Sequence, residues 1–291
     1  MFVEYGSLSA TNMSGGISIE FAVEHALRRS RYSLILGGLA LVGIVATSGV
    51  RPAVYGRPSP KDPGAPTTSR FASRLPLQRS AQNAQKPITV MTIGGSVAHG
   101  WVDTKQGGGY LVRAFRSLSA STDVKYQIVD RTVIGSNAVQ IATQYPTWLK
   151  TVRPQVVVIS WGGLNDAWPR TPFSRYEAEV NREIHLALAV KASVFIVTPP
   201  VTRASYTKYR VAEPLYLDRE MNVALSFHNP NVHVFDVFDQ MKTYLKEHHQ
   251  TYVPYMADGW HPNSRGHILA GRILYHDMRA AFGRSPIRLE A

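Results

Sequence analysis

A serine and an acid–histidine pair that could together make a nucleophilic site stand far apart in this chain. Asp258 precedes His261 by three positions in Asp258-Gly259-Trp260-His261-Pro262-Asn263. A carboxylate that close can hold the Nδ1–H of the imidazole, which supplies the base and its orienter for a nucleophile. The nucleophile must be a serine, because the chain contains no cysteine. Ser96 sits in Gly94-Gly95-Ser96-Val97-Ala98-His99-Gly100, directly after the apolar run 88–93. Glycines before it permit a tight turn from strand to helix, which would expose Oγ and leave the serine N–H at a helix N-terminus. Two further blocks carry candidate donors, Ile134-Gly135-Ser136-Asn137 and Trp161-Gly162-Gly163-Leu164-Asn165-Asp166. Asp166 is the other candidate for the acid, but the shorter reach belongs to Asp258, and Asp166 reads as a brace for its loop.

Other chemistries fit less well. A phosphate loop is disfavoured because Trp101 follows Gly100 where a lysine is needed. The strict nucleophile elbow of α/β-hydrolases fails at Ala98, where a second glycine belongs. No metal or cofactor is implied, and His248-His249 reads as a solvated pair.

The elements that must position these residues follow from the hydrophobic pattern. Strands are expected at 88–93, 126–130, 156–160, 194–198 and 232–238. The third, VVVIS, is apolar throughout, as a buried parallel strand should be. Helical periods run through Tyr110, Leu111, Ala114, Phe115 and Leu118, and from Glu177 to Val190. A last helix is expected from about Asn263 to Phe282, with Ile268, Leu269, Ile273, Leu274, Met278 and Phe282 on one face. Alternating strands and helices indicate an α/β sheet with parallel strands. The candidate residues fall after successive strands, at the carboxyl edge where such sheets bind ligands.

The first 86 residues differ in texture. They carry ten Lys/Arg against four Asp/Glu, so half of the formal charge of +12 lies in this shorter part. Residues 1–31 end in Arg28, Arg29 and Arg31, and residues 32–50 contain no charge. Nineteen helical residues span roughly 28 Å, one hydrocarbon core. The preferred reading is a transmembrane anchor; the alternative is a signal segment cleaved near Ser48. Residues 51–86, rich in proline and arginine, read as a disordered basic linker rather than a nucleic-acid arm. Residues 87–291 form the catalytic domain.

As an ordered set, the four blocks resemble the SGNH (GDSL-like) hydrolase family over essentially all of 87–283. The first block matches at Ser96, the second at Gly135, the third at Gly163-Leu164-Asn165-Asp166, and the last at Asp258 to Pro262. The first block departs from the family name, with Gly95 in place of the aspartate and Val97 in place of the leucine. The resemblance implies a flavodoxin-like three-layer α/β/α sandwich with five parallel strands in the order 2-1-3-4-5. It also implies a Ser96, Asp258 and His261 triad, with an oxyanion hole from Ser96, Gly135 and Asn165.

The expected activity is serine-dependent ester hydrolysis, with small acyl groups removed from cell-surface or extracellular carbohydrate. A lysophospholipase or thioesterase and a non-catalytic surface binder are the alternatives. The expected location is the cell membrane, crossed once by 32–50 with the hydrolase outside. Trp161, Trp260 and Tyr206 are the expected substrate contacts, the tryptophans either as platforms for sugar rings or as supports beneath the loops. The segment 199–217, with its tyrosines and Arg203, Lys208 and Arg210, is the expected variable wall of the site.

Overall fold

The computed structural model describes residues 86–287. The apolar stretch 32–50 and the linker to residue 85 lie outside the described residues. Among the described residues, no helix is long and apolar enough to cross a membrane.

Five strands form one parallel sheet: β1 (Ile88–Gly94), β2 (Tyr126–Asp130), β3 (Val156–Ser160), β4 (Ser193–Val197) and β5 (Val232–Phe235). Their order is β2-β1-β3-β4-β5, as expected. Register places Gly94 of β1 beside Ser160 of β3, so the loops bearing Ser96 and Asn165 leave the sheet as neighbours.

Alternate residues of the central strands feed two separate cores. Val90, Val156, Val158, Phe195 and Val197 pack under α2 (Gly109–Ser121), α7 (Val237–Glu247) and α8 (Ser264–Phe282). Met91, Ile93, Val157, Ile159, Val194 and Ile196 pack on the other face under α3 (Tyr145–Val152), α5 (Phe173–Ala189) and α6 (Ala212–Ser226). The result is a three-layer sandwich. Each buried Val or Ile contributes about 1.5–3 kcal/mol relative to exposure. β3 and β4 are buried at every position, which is why they read as continuous apolar runs. The edge strands β2 and β5 are only partly covered.

Several boundaries differ from the expected ones. β5 stops at Phe235, because Asp236 turns the chain and its side chain accepts the Asp239 N–H as the cap of α7. Val237 and Phe238 are therefore the buried first turn of a helix whose face continues through Met241 and Leu245. β4 begins and ends one residue earlier than expected, and α5 starts at Phe173, directly after Pro172. In α8, Leu269, Leu274 and Met278 face the core, whereas Ile268 is exposed.

Candidate active site

Ser96 opens α1 (Ser96–His99), a single turn that starts where β1 ends. Gly94 has φ +150°, and a Cβ there would come within 2.3 Å of the Ser160 carbonyl oxygen. Only glycine lets the chain turn so close to β3. Ser96 Oγ lies 2.9 Å from His261 Nε2, and His261 Nδ1 lies 2.9 Å from Asp258 Oδ2. The three residues far apart in sequence thus form one continuous hydrogen-bonded line.

The histidine loop is held from several sides. Asp258 Oδ1 accepts the N–H groups of Trp260 at 2.7 Å and His261 at 2.8 Å. Met256 and Pro262 form an antiparallel bridge across the loop. Asn263 caps α8 by accepting the Gly266 N–H and donates its amide to the carbonyls of Pro254 and Met256. Partial burial works against an ionised Asp258. The hydrogen bonds from the Trp260 N–H and from the His261 ring and N–H outweigh it, so the carboxyl sits below its ordinary value. An ionised acid on Nδ1 leaves Nε2 to accept the Ser96 proton.

Across the same cavity, Asn165 belongs to the one-turn helix α4 (Leu164–Ala167). Its Nδ2 donates to the Ser136 carbonyl at 2.8 Å, which fixes the amide and leaves its second N–H available. A Cβ at Gly95 would approach Asn165 Nδ2 to 2.9 Å, so the glycine in the aspartate position of the family name makes room for this amide. Asn165 and Ser96 both line the cavity. Gly135 is exposed, next to Ser136, with φ +78°. Gly135 lies just outside the cavity lining. Neither the Ser96 N–H nor the Gly135 N–H donates to another described residue. The cavity volume is about 20 Å³. It holds one or two groups of methyl or water size.

The expected substrate contacts divide. Trp260 lines the cavity and meets Tyr209 edge-on. Trp161 does not qualify: it is 1 % exposed, inside the second core, and its Nε1 donates to Glu183 at 2.8 Å. It supports the Asn165 loop from below, the position of a side chain that follows a fully buried strand. Tyr206 lies outside the cavity lining and stacks on Tyr252 at 4.6 Å between centroids. In 199–217 the tyrosines also turn inward, with Tyr209 and Tyr216 buried while Arg203, Lys208 and Arg210 face out. Trp101, exposed, comes within 6.4 Å of the His261 ring.

Asp166 makes no hydrogen bond to His261; it is buried, and burial pushes its carboxyl up to about 7 despite a hydrogen bond with Thr171. Behind it lie Glu183 and Glu220, fully buried, with Tyr176 donating to Glu220. Glu213 reaches the cavity itself. The sequence reading missed these acids. Their signal was present: Glu213, Tyr216, Leu217, Glu220 and Ala224 share the spacing of one buried helical face. Among the described residues, no group of His, Asp and Glu side chains is arranged to hold a metal ion.

Comparison with known proteins agrees with this fold. The GDSL-like Lipase/Acylhydrolase family profile matches residues 92–269. Curated protein sequences return no match. Among solved structures, an acetylxylan esterase from Geobacillus stearothermophilus superposes with a TM-score of 0.54 at 16% identity, covering 67% of this chain and 94% of that one. A lipolytic G-D-S-L family protein from Desulfitobacterium hafniense DCB-2 superposes with a TM-score of 0.52 at 15% identity, covering 65% and 98%. These likenesses establish the fold. Together with the profile match over most of the catalytic region, they place the chain in the GDSL-like lipase/acylhydrolase family, as a carboxylic ester hydrolase.

Proposed function

We propose that this hydrolase removes acetyl groups from a carbohydrate outside the membrane, with Ser96 as nucleophile. Ser96 Oγ attacks the ester carbonyl as His261 Nε2 takes its proton. His261 then returns that proton to the leaving alcohol, and in the second half-reaction it activates the water that releases the acid. Asp258 holds the imidazole in the required tautomer and stabilises its charged form. The Ser96 N–H and the Asn165 amide receive the oxyanion, with the Gly135 N–H as the third donor.

The observation that carries the acyl assignment is the small cavity beside Ser96, about 20 Å³. A methyl group suits that space. The carbohydrate assignment draws support from the partly exposed Trp101 and Trp260 at the rim, whose rings suit sugar faces. The acetylxylan esterase fold neighbours are consistent with it, and three of them are described as catalytic mutants that replace a serine, an aspartate or a histidine. The apolar stretch 32–50 would tether the domain through the 51–86 linker, whose coil dimension is roughly 30–36 Å. Full-length protein assayed on acetylated xylan and on lysophospholipid micelles tests the reading. Acetate release from xylan is expected. Rates that favour micelles and rise with acyl length would overturn the carbohydrate assignment. Membrane fractionation with N-terminal sequencing tests the anchor: a mature N-terminus near Ser48 would contradict it.

A further inference from the structure

The lining of the cavity beside Ser96 contains a side chain that the catalytic cycle does not use. Glu213, in the first turn of α6, is 0 % exposed and lines the same cavity as Ser96 and Asn165. Neither of its carboxyl oxygens has a hydrogen-bond partner among the described residues. The Ser205 hydroxyl engages the Thr202 N–H and hydroxyl and also lies close enough to Glu213 to temper the effect of its burial. Gly163 fixes the placement: a Cβ there would lie 3.2 Å from the Glu213 carbonyl oxygen and 3.5 Å from its Cγ. The glycine before Leu164-Asn165 therefore lets α6 press the glutamate against the oxyanion loop.

We propose that Glu213 selects the acyl group, admitting acetyl or a hydroxylated two-carbon acyl and rejecting the alkyl chain of the same size. The inference rests on the ester-hydrolase reading above and deepens it. A buried carboxyl group short of partners is unfavourable, so a cavity occupant that can hydrogen-bond to it is favoured over one that cannot. An acetyl group leaves room for one water on Glu213. A glycolyl group offers its own hydroxyl at that place. A propionyl group puts a methyl there, displaces the water and leaves the carboxyl unpaired. Polar sites discriminate strongly against an analogue that lacks the expected hydroxyl. Burial raises the Glu213 carboxyl to about 8, with Ser205 and Lys242 tempering the shift, so the group is neutral at ordinary pH and can donate as well as accept. Chain length is thus limited by an unmet hydrogen bond as well as by volume.

The test uses the full-length protein with ethyl acetate, ethyl glycolate and ethyl propionate, following acid release by titration. Turnover of ethyl acetate that disappears in Ser96→Ala establishes the underlying reaction on its own, so its failure and a failure of the selectivity are told apart. The readout for Glu213 is the ratio of kcat/KM for glycolate to that for propionate, compared with wild type to cancel the esters' intrinsic reactivities. Glu213→Leu, or Glu213→Met should the leucine variant not melt cooperatively, is expected to lower this ratio about tenfold or more. Glu213→Gln, which restores a hydrogen-bonding amide, should keep most of it. A ratio in the apolar and glutamine variants alike that stays within about threefold of wild type would overturn the proposal.

Discussion

Asp258 and Asp166 differ first in exposure, the first with a side chain 50 % exposed and the second 1 % exposed. Exposure alone would make neither useful. Asp258 accepts from three donors, two backbone N–H groups and an imidazole, and is held ionised. Asp166 Oδ1 has no partner among the described residues, and burial holds this carboxyl largely neutral up to about pH 7. Asp103 completes the contrast. It is as buried as Asp166, yet its carboxyl lies below the ordinary value: burial opposes this, but Arg113, Ser264 and the Gly109 N–H outweigh it. Hydrogen-bond donors, more than depth, decide which acids here are charged. A charged acid on His261 suits the proposed catalysis, whereas the neutral acids beneath Asn165 fill a wall of the site without a net charge.

Substitutions can break this contrast at either end. Asp258→Asn should lower kcat by roughly 10⁴-fold while the fold persists, since the amide would hold the wrong tautomer of His261. Asn165→Ala should lower kcat by about 10²–10³-fold with little change in KM, as a donor needed mainly when the oxyanion forms. Steady-state kinetics beside thermal melts separate these from unfolding; a pure KM effect at Asn165 would make it a ground-state contact. Asp166→Asn should cost less than about tenfold in kcat. A loss there as large as that of Asp258→Asn would reverse the assignment.

Stability sharpens the same comparison. Asp103→Ala leaves Arg113 without its buried partner and should cost about 3 kcal/mol in denaturant melts. The raised carboxyls act with the opposite sign to the lowered ones. For Asp166 and Glu213, raised to about 7 and about 8, the stabilising contribution is complete below the unfolded carboxyl value and is lost as pH rises through those folded values. For Asp103 and Asp258 it is present above the unfolded value and lost in acid. The melting temperature should therefore fall between about pH 5 and pH 9, and Glu213→Gln should flatten that fall. A melting temperature that climbs over this range would mean the buried acids are ionised.

Much of this was legible in the sequence. The strands, the four blocks and the pairing of Asp258 with His261 followed from apolar runs and short loops, because local spacing dictates them; the strand order followed only from the family resemblance that the blocks carry. The acid wall was not legible in the same way. Glu183 and Glu220 sit on helical faces that otherwise carry Tyr176, Val180, Ile184, Tyr216 and Leu217, and only the packing of α5 against α6 shows that those faces are buried at the glutamates too. Trp161 misled for a related reason. A tryptophan beside a motif suggests a platform, but the direction of its ring depends on a glutamate twenty-two residues away. β5 was overextended because Val237 and Phe238 continue a strand pattern that Asp236 interrupts with a cap.

The central claim is that Ser96 is the nucleophile and that His261, oriented by Asp258, activates it. The most direct measurement is intact-mass and peptide mapping after reaction with a fluorophosphonate. One adduct on Ser96 is expected in the wild-type protein, none in Ser96→Ala, strongly slowed labelling in His261→Ala and Asp258→Asn, and near wild-type labelling in Asp166→Asn. An adduct on another residue, or ester turnover that survives in folded Ser96→Ala, would contradict the account.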